Sequence, residues 1–505
     1  MSVANGIDRR TLIGAGIAGG IAASFPALAH DLAMPLCHGP VDAPDGWYEA
    51  RSCDGAWSYP LIRYARANRF QPPVPVTSAE QLTGRWSAIP ACPQPSDRYS
   101  PEIEDCHFLN VWTPRTDGEP LPVMVYFHGG AYSNGSVGDP VNDGAKLAKR
   151  GDVVVVTVNH RLNALGYLYL PERYPDSGNN GQLDLVAALQ WVQRNIAAFG
   201  GDPRNVTVFG QSGGGAKIAT LMAMPAAAGL FHKAITMSGQ QVTASGPLNA
   251  AKRAEAFLAA LGEGVDPATA PVEQLIAAMS ATDPILGGGV YMGPVLDMRN
   301  LLRHPFWPDA APQSNHIPMM LGNTVMETRA FYSTEKPPIA GLTMDNLAER
   351  IAPQMRVDIE PDWVVAQFRE RYPDAAALEL FHRIVTAARS WRGQVEEAEA
   401  RASAGSPAAD RTWVYQLDFE DAQHTDDIAL SFGTVVAPTA AQQAMSDSVM
   451  DAFVRFARTG NPGWPTYDLA SRNTMVFDNV SRVESNPRAW ERELFSRVPY
   501  IQPGS

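Results

Sequence analysis

One serine in this chain stands where it could act as a nucleophile. Gly210-Gln211-Ser212-Gly213-Gly214 follows the run Val206–Phe209, which reads as a strand. It precedes a stretch from about 215 to 224 that reads as a helix. A Gly-x-Ser-x-Gly turn between strand and helix lifts the serine hydroxyl above the strand end, because the flanking positions are too tight for side chains. The helix N-terminus beneath it favours the negative charge that forms when the hydroxyl attacks a carbonyl. A glycine-rich turn with a bystander serine is the plainer alternative, and the flanking strand and helix speak against it.

An attacked carbonyl needs donors for its oxygen. His128-Gly129-Gly130-Ala131 follows the apolar run Val123–Phe127. The glycine pair lets the backbone curl so that the amides of Gly130 and Ala131, joined by that of Gly213, face one point. Each such donor is typically worth about 3–4 kcal/mol at the transition state. His128 is expected to brace this loop rather than to titrate.

The hydroxyl also needs a base and the base an orienting acid, in the chain order serine, acid, histidine. After Ser212 come His232, His304, His316, His382 and His424. His424 follows the strand candidate Trp413–Leu417 by the short polar loop 420–423, at a strand's carboxyl end, where open α/β sheets gather their working groups. His382 lies in a helical stretch, and His304 and His316 flank a proline-rich segment, so these three read as packing or surface residues. Glu327 follows Met319–Leu321 and the turn Gly322-Asn323, again at a carboxyl end. Asp297 is the rival acid, but it precedes that strand by some twenty residues.

The elements needed to hold these groups are legible. Strand-like runs at Phe108–Trp112, Val123–Phe127, Val153–Val158, Val206–Phe209, Ala234–Met237, Met319–Leu321 and Trp413–Leu417 alternate with helical patterns. Leu183–Phe199 carries apolar residues at helical spacing, and Ser446–Thr459 is a helix stopped by Gly460-Asn461-Pro462. The pattern implies an α/β fold with a mostly parallel sheet and helices on both faces. Residues 340–405 read as helix after helix, an insertion expected over the active site.

The 505 residues are 45% apolar and 18% charged, an ordinary globular balance. A net charge of −13 with no basic run disfavours nucleic acid as partner. Residues 1–29 read as a twin-arginine export signal: Arg9-Arg10, a mild apolar run, then Ala27-Leu28-Ala29. The mature chain, 30–505, is then one catalytic domain without stable membrane insertion. The four cysteines, Cys37, Cys53, Cys92 and Cys106, allow three pairings. Sequence neighbours would give Cys37–Cys53 and Cys92–Cys106, loops worth about 3 kcal/mol each in an oxidising compartment. No tight Cys-x-x-Cys pair suggests a metal site.

Together these motifs resemble the type-B carboxylesterase family, which includes cholinesterases and bacterial para-nitrobenzyl-type esterases. The resemblance runs from about residue 35 to 480. It is carried by Glu104-Asp105-Cys106, His128-Gly129-Gly130, Asn159-His160-Arg161-Leu162, Gly178-Asn179-Asn180-Gly181, Phe199-Gly200-Gly201-Asp202-Pro203, Phe209-Gly210-Gln211-Ser212, Gly322 to Glu327, His424 with Asp427, Phe432-Gly433 and Trp464-Pro465 with Tyr467. It implies the α/β-hydrolase fold and a Ser212–Glu327–His424 triad. It also implies an oxyanion hole at Gly130, Ala131 and Gly213, a Cys92–Cys106 disulfide, and a second serine–acid pair, Ser238 and Asp427, behind the histidine. The family usually has Glu before the nucleophile and Ala after it; here these are Gln211 and Gly213. Ala131 replaces the usual third glycine and is expected to narrow the hole. The segment between Cys92 and Cys106 contains no Trp on which a choline cation could stack, which disfavours choline esters.

The expected reaction is hydrolysis of a small-molecule carboxylic ester through an acyl-enzyme, without metal or organic cofactor. Activity should fall as the imidazole base protonates in mild acid. An amide, carbamate or lactone hydrolase with the same triad and a non-catalytic binding protein are the other readings. The acyl and alcohol preferences and the oligomeric state are not written in these motifs.

Overall fold

The computed structural model describes residues 40–51, 55–82 and 88–502. Residues 1–29, read as an export signal, and Cys37 and Cys53 lie outside the described residues. The strands of the central sheet are, in chain order, β1 (Trp57–Arg63), β2 (Phe108–Thr113), β3 (Leu121–Phe127), β4 (Val154–Val158), β5 (Gly201–Gln211), β6 (Lys233–Met237), β7 (Met319–Thr324), β8 (Thr412–Leu417), β9 (Thr474–Phe477) and β10 (Arg482–Glu484). Among the described residues they form one 10-stranded sheet, ordered β10-β9-β8-β7-β6-β5-β3-β4-β2-β1. The run from β4 to β9 is parallel, and β1, β2 and β10 are antiparallel edges.

The composition of the central strands explains their place. β3 and β4 are buried along their whole length. A continuous apolar run without alternation is what a parallel strand covered on both faces requires. Helix α1 (Asn180–Asn195) lays Leu185, Ala188, Leu189 and Val192 against one face of the sheet. The helix Ala440–Thr459 covers the other with Met450, Phe453 and Phe456. Each buried Leu, Phe or Met stabilises by roughly 1.5–3 kcal/mol relative to exposure. The helix read as starting at Ser446 begins earlier, because Thr439 and Gln442 form a reciprocal capping box. β5 also runs longer than Val206–Phe209, since Leu121 pairs with Gly201 across an irregularity.

Residues 340–405 are mostly helical, including Pro361–Arg371, Ala377–Thr386 and Arg392–Ser403, the last two joined by a π-helical turn over Ala387–Trp391. They build their own core around Phe368, Leu380, Ile384 and Val385. This block stands against the β7 loop: Thr328 Oγ1 donates to the carbonyl of His382 at 3.2 Å. His382, buried in that contact, is a packing residue.

Candidate active site

Strand order decides which loops can meet. β4 lies on one side of β3 and β5 on the other, so the chain reverses its direction of travel across the sheet there. Loops diverge at such a switch point and leave a crevice at the carboxyl ends. His128 follows β3 and Ser212 follows β5. Ser238 follows β6, Glu327 lies just after β7 and His424 follows β8. The candidate groups therefore come from adjacent strand ends.

Ser212 occupies φ 54°, ψ −123°, a strained conformation for a residue with a side chain. Glycine at 214 makes it attainable, since a Cβ there would lie 1.9 Å from the Phe127 carbonyl oxygen. Helix α2 (Gly213–Leu221) starts at once, so the amide of Gly213 belongs to a helical first turn with no intrahelical acceptor. Ser212 is partly exposed, whereas Glu327 is fully buried and His424 nearly so.

The imidazole and carboxylate are joined: His424 Nδ1 donates to Glu327 Oε2. The other carboxylate oxygen accepts from Ser238 Oγ at 2.6 Å and from the Thr324 amide at 2.8 Å. The His424 amide also donates to the Glu327 carbonyl at 3.3 Å. With the proton on Nδ1, Nε2 is an acceptor, and the Gln211 side-chain amide donates to it at 3.2 Å. Ser212 Oγ makes no hydrogen bond to His424 among the described residues. The ring of Phe331 lies 4.7 Å from that of His424 and limits its swing. Asp297 is engaged elsewhere: it accepts from Asn179 at 2.9 Å and from the amides of Arg299, Asn300 and Leu301.

The loop after β3 curls through left-handed conformations at Gly130 (φ 84°) and Ala131 (φ 53°). It presses on the nucleophile turn: a Cβ on Gly213 would lie 2.1 Å from the Ala131 carbonyl oxygen. The glycine at 213 is thus what lets the Ala131 backbone pack against the turn, since a side chain there would occupy the same space. The amides of Gly130 and Ala131 have no acceptor among the described residues. His128 stacks on His160 at 4.6 Å, and burial, then the charge of Lys217, pushes its pKa down to about 3. It is a neutral brace.

Lys217, on α2, is a residue that motif reading passes over. Its fully buried ammonium donates to the carbonyls of Ala131 at 2.9 Å and His128 at 3.1 Å. These contacts hold the two peptide planes that bracket Gly130 and Ala131. Burial lowers its pKa to about 7. The signal was available: a lone charge on a short helix of otherwise uncharged residues just after Ser212.

Two expectations need correction. Cys92 and Cys106 are free, buried thiols, not a disulfide. They are close neighbours, since the Cys106 pKa is raised by burial and then by a hydrogen bond with Cys92. Ser238 and Asp427 do not pair with each other. Ser238 donates to Glu327, and Asp427 instead accepts from the Tyr415 hydroxyl at 3.2 Å. Burial, then the charge of Glu327, raises the Asp427 carboxyl to about 7.

Comparison with known proteins gives a consistent picture. The model of the carboxylesterase family matches residues 48–493. The para-nitrobenzyl esterase of Bacillus subtilis (strain 168) is 34% identical over 501 residues, covering 91% of this chain and 98% of that protein. The liver carboxylesterase of Sus scrofa is 30% identical over 513 residues, covering 86% of this chain and 87% of its own. The crystal structure of a carboxylesterase from Geobacillus stearothermophilus superposes with a TM-score of 0.79 at 33% identity, covering 91% of this chain and 100% of that one. No helix among the described residues is long and apolar enough to cross a membrane.

Proposed function

The chain belongs to the carboxylesterase family and hydrolyses carboxylic esters; we propose that Ser212 is the nucleophile, His424 the base and Glu327 the acid that orients it. The observation that carries this reading is the held imidazole. Its Nδ1 proton is fixed on Glu327, so the Nε2 lone pair is the basic site on the side of the nucleophile turn. In this mechanism an incoming ester displaces the Gln211 amide from Nε2. His424 then takes the Ser212 proton as Oγ attacks the carbonyl carbon. The oxyanion accepts from the amides of Gly130, Ala131 and Gly213. His424 returns the proton to the leaving alcohol, and water repeats the route to free the acid. The residues acting in these steps need no metal or organic cofactor. With Ser212→Ala, turnover of a para-nitrophenyl ester and labelling by a fluorophosphonate probe should both be lost, turnover by on the order of 10⁴–10⁶. Retention of most activity would exclude this serine.

We further propose that residues 1–29 direct export by the twin-arginine route. The Arg9-Arg10 pair supports this. Cell fractionation tests it: replacing Arg9 and Arg10 by lysine should retain the chain in the cytoplasm, and export of the double variant would refute the proposal.

A further inference from the structure

Deeply buried arginines in this chain usually meet a carboxylate. Arg161 pairs with Asp184 at 2.7 Å, and Arg253 with Asp283 at 2.8 Å. Arg356 and Arg389 do not: among the described residues no carboxylate lies within ion-pair distance of either. Arg356 is only 8% exposed, and its Nε is buried without a hydrogen-bond partner. Arg389 is partly exposed, on the turn Ala387–Trp391. Its Nη1 donates to the Tyr332 hydroxyl at 3.3 Å. The two charges repel: the Arg356 pKa falls to about 10, first through burial and then through Arg389.

Their position gives the pair meaning. The Arg389 guanidinium lies over the Phe331 ring at 5.3 Å, and the same ring meets His424 at 4.7 Å. Both charges also act on the hydroxyl of Tyr291, whose ring is 6.3 Å from that of Tyr132, the neighbour of Ala131. The arginines therefore stand between His424, from which the Phe331 ring separates Arg389, and Ala131, from which the Tyr291 and Tyr132 rings separate them. A buried cation without a counter-charge is costly, and an arriving anion would relieve that cost. Guanidinium groups match a planar carboxylate with paired N–H donors, and aromatic walls suit a hydrocarbon spacer. The acidic surface of the rest of the molecule would repel such a ligand, so recognition needs a local cation cluster.

We propose that Arg356 and Arg389 form an anion subsite of the ester pocket, and that the preferred substrates are esters bearing a carboxylate remote from the scissile bond, as in monoesters of dicarboxylic acids. The inference rests on Ser212 chemistry at the site above. It is tested with mono-para-nitrophenyl esters of glutarate, adipate and pimelate, each against its ω-amide counterpart, in which a neutral group of equal size replaces the carboxylate. In the wild type, kcat/KM for the best acid should exceed that for its amide by about tenfold or more, chiefly through KM, in line with one charge-assisted contact. Arg389→Gln and Arg356→Gln should each bring the acid-to-amide ratio toward one, and Arg389→Lys should restore part of it. Equal turnover of acid and amide by the wild type at every spacer length would overturn the proposal. So would an unchanged ratio in Arg389→Gln. If Arg356→Gln does not fold, competitive inhibition of the wild type by free dicarboxylates, weakened in Arg389→Gln, decides the point; absence of inhibition counts against it. A wild type that turns over neither ester would refute the site reading itself, and the subsite would fall with it.

Discussion

Arg161 and Asp184 form a buried, charge-balanced pair, with the His107 ring beside it. Asp184 accepts from Arg161 at 2.7 Å and lies 3.2 Å from His107 Nε2, all three buried. Burial works against the carboxylate, yet Arg161 and His107 hold its pKa well below the usual range. Around the crevice the arrangement is the opposite. Lys217 meets two carbonyl dipoles and the face of the Tyr132 ring, and among the described residues neither it nor Arg356 has a carboxylate within ion-pair distance. The first set fastens the Asn159–Leu162 segment to α1 and is balanced in the resting protein. The second is unbalanced in the resting protein, around the crevice where we propose that the ester and its remote carboxylate bind. Balance in the scaffold and imbalance at the site are both low-dielectric effects; they differ in whether the opposite charge is supplied by the fold or by a visitor.

That contrast can be broken by substitution. The largest effect is expected at Glu327, the proposed triad acid. Glu327→Gln leaves the cavity filled but removes the charge that selects the histidine tautomer, so turnover of a para-nitrophenyl ester should fall on the order of 10⁴-fold with the fold intact. A fall of less than tenfold would mean that another group orients His424. Next comes the balanced set. Asp184→Ala strands Arg161 and should cost about 3–5 kcal/mol in denaturant unfolding, while the activity of the molecules that remain folded changes little. A variant that is stable but inactive would contradict the division drawn here.

Lys217→Met should act the other way, lowering kcat by about ten- to a hundredfold through a loosened oxyanion loop, with a small change in KM. Its effect on stability is set by pH. The lysine pKa is about 7 in the folded chain against an ordinary 10.5. Between these values the unfolded chain binds more protons, so wild-type stability should rise with pH from 7 toward 10.5. Lys217→Met should lack that rise. Parallel stability–pH curves for the two proteins would show that the ammonium is not buried as described.

Much of this was legible beforehand. The nucleophile turn, the glycine pair after β3 and the positions of Glu327 and His424 at strand ends could be read because each depends on a few neighbouring residues. The parallel sheet was legible from uninterrupted apolar runs such as Val153–Val158. Strand ends were less so: β5 starts at Gly201 because Gly201 pairs with Leu121 of β3, while Asp202 and Pro203, residues without strand propensity, fall in the irregularity before Val206 pairs with Val123. The Gln211 contact with His424 was not legible, for it joins residues 213 positions apart. The second serine–acid pair went astray because Ser238 had two carboxylates within prospect, and only the fold determines which one it reaches.

By itself the sequence determined the local geometry: which residue is lifted at a strained turn, which amides lack acceptors, which strands are covered on both faces. Those properties follow from backbone sterics and side-chain apolarity over short windows. The tertiary structure alone decided partners that no motif names: Gln211 with His424, Lys217 with the Ala131 carbonyl, and Arg356 beside Arg389 with no carboxylate in ion-pair range among the described residues. Strand order and loop packing bring distant segments together, and the charge environment of a buried group is the sum over whatever arrives there.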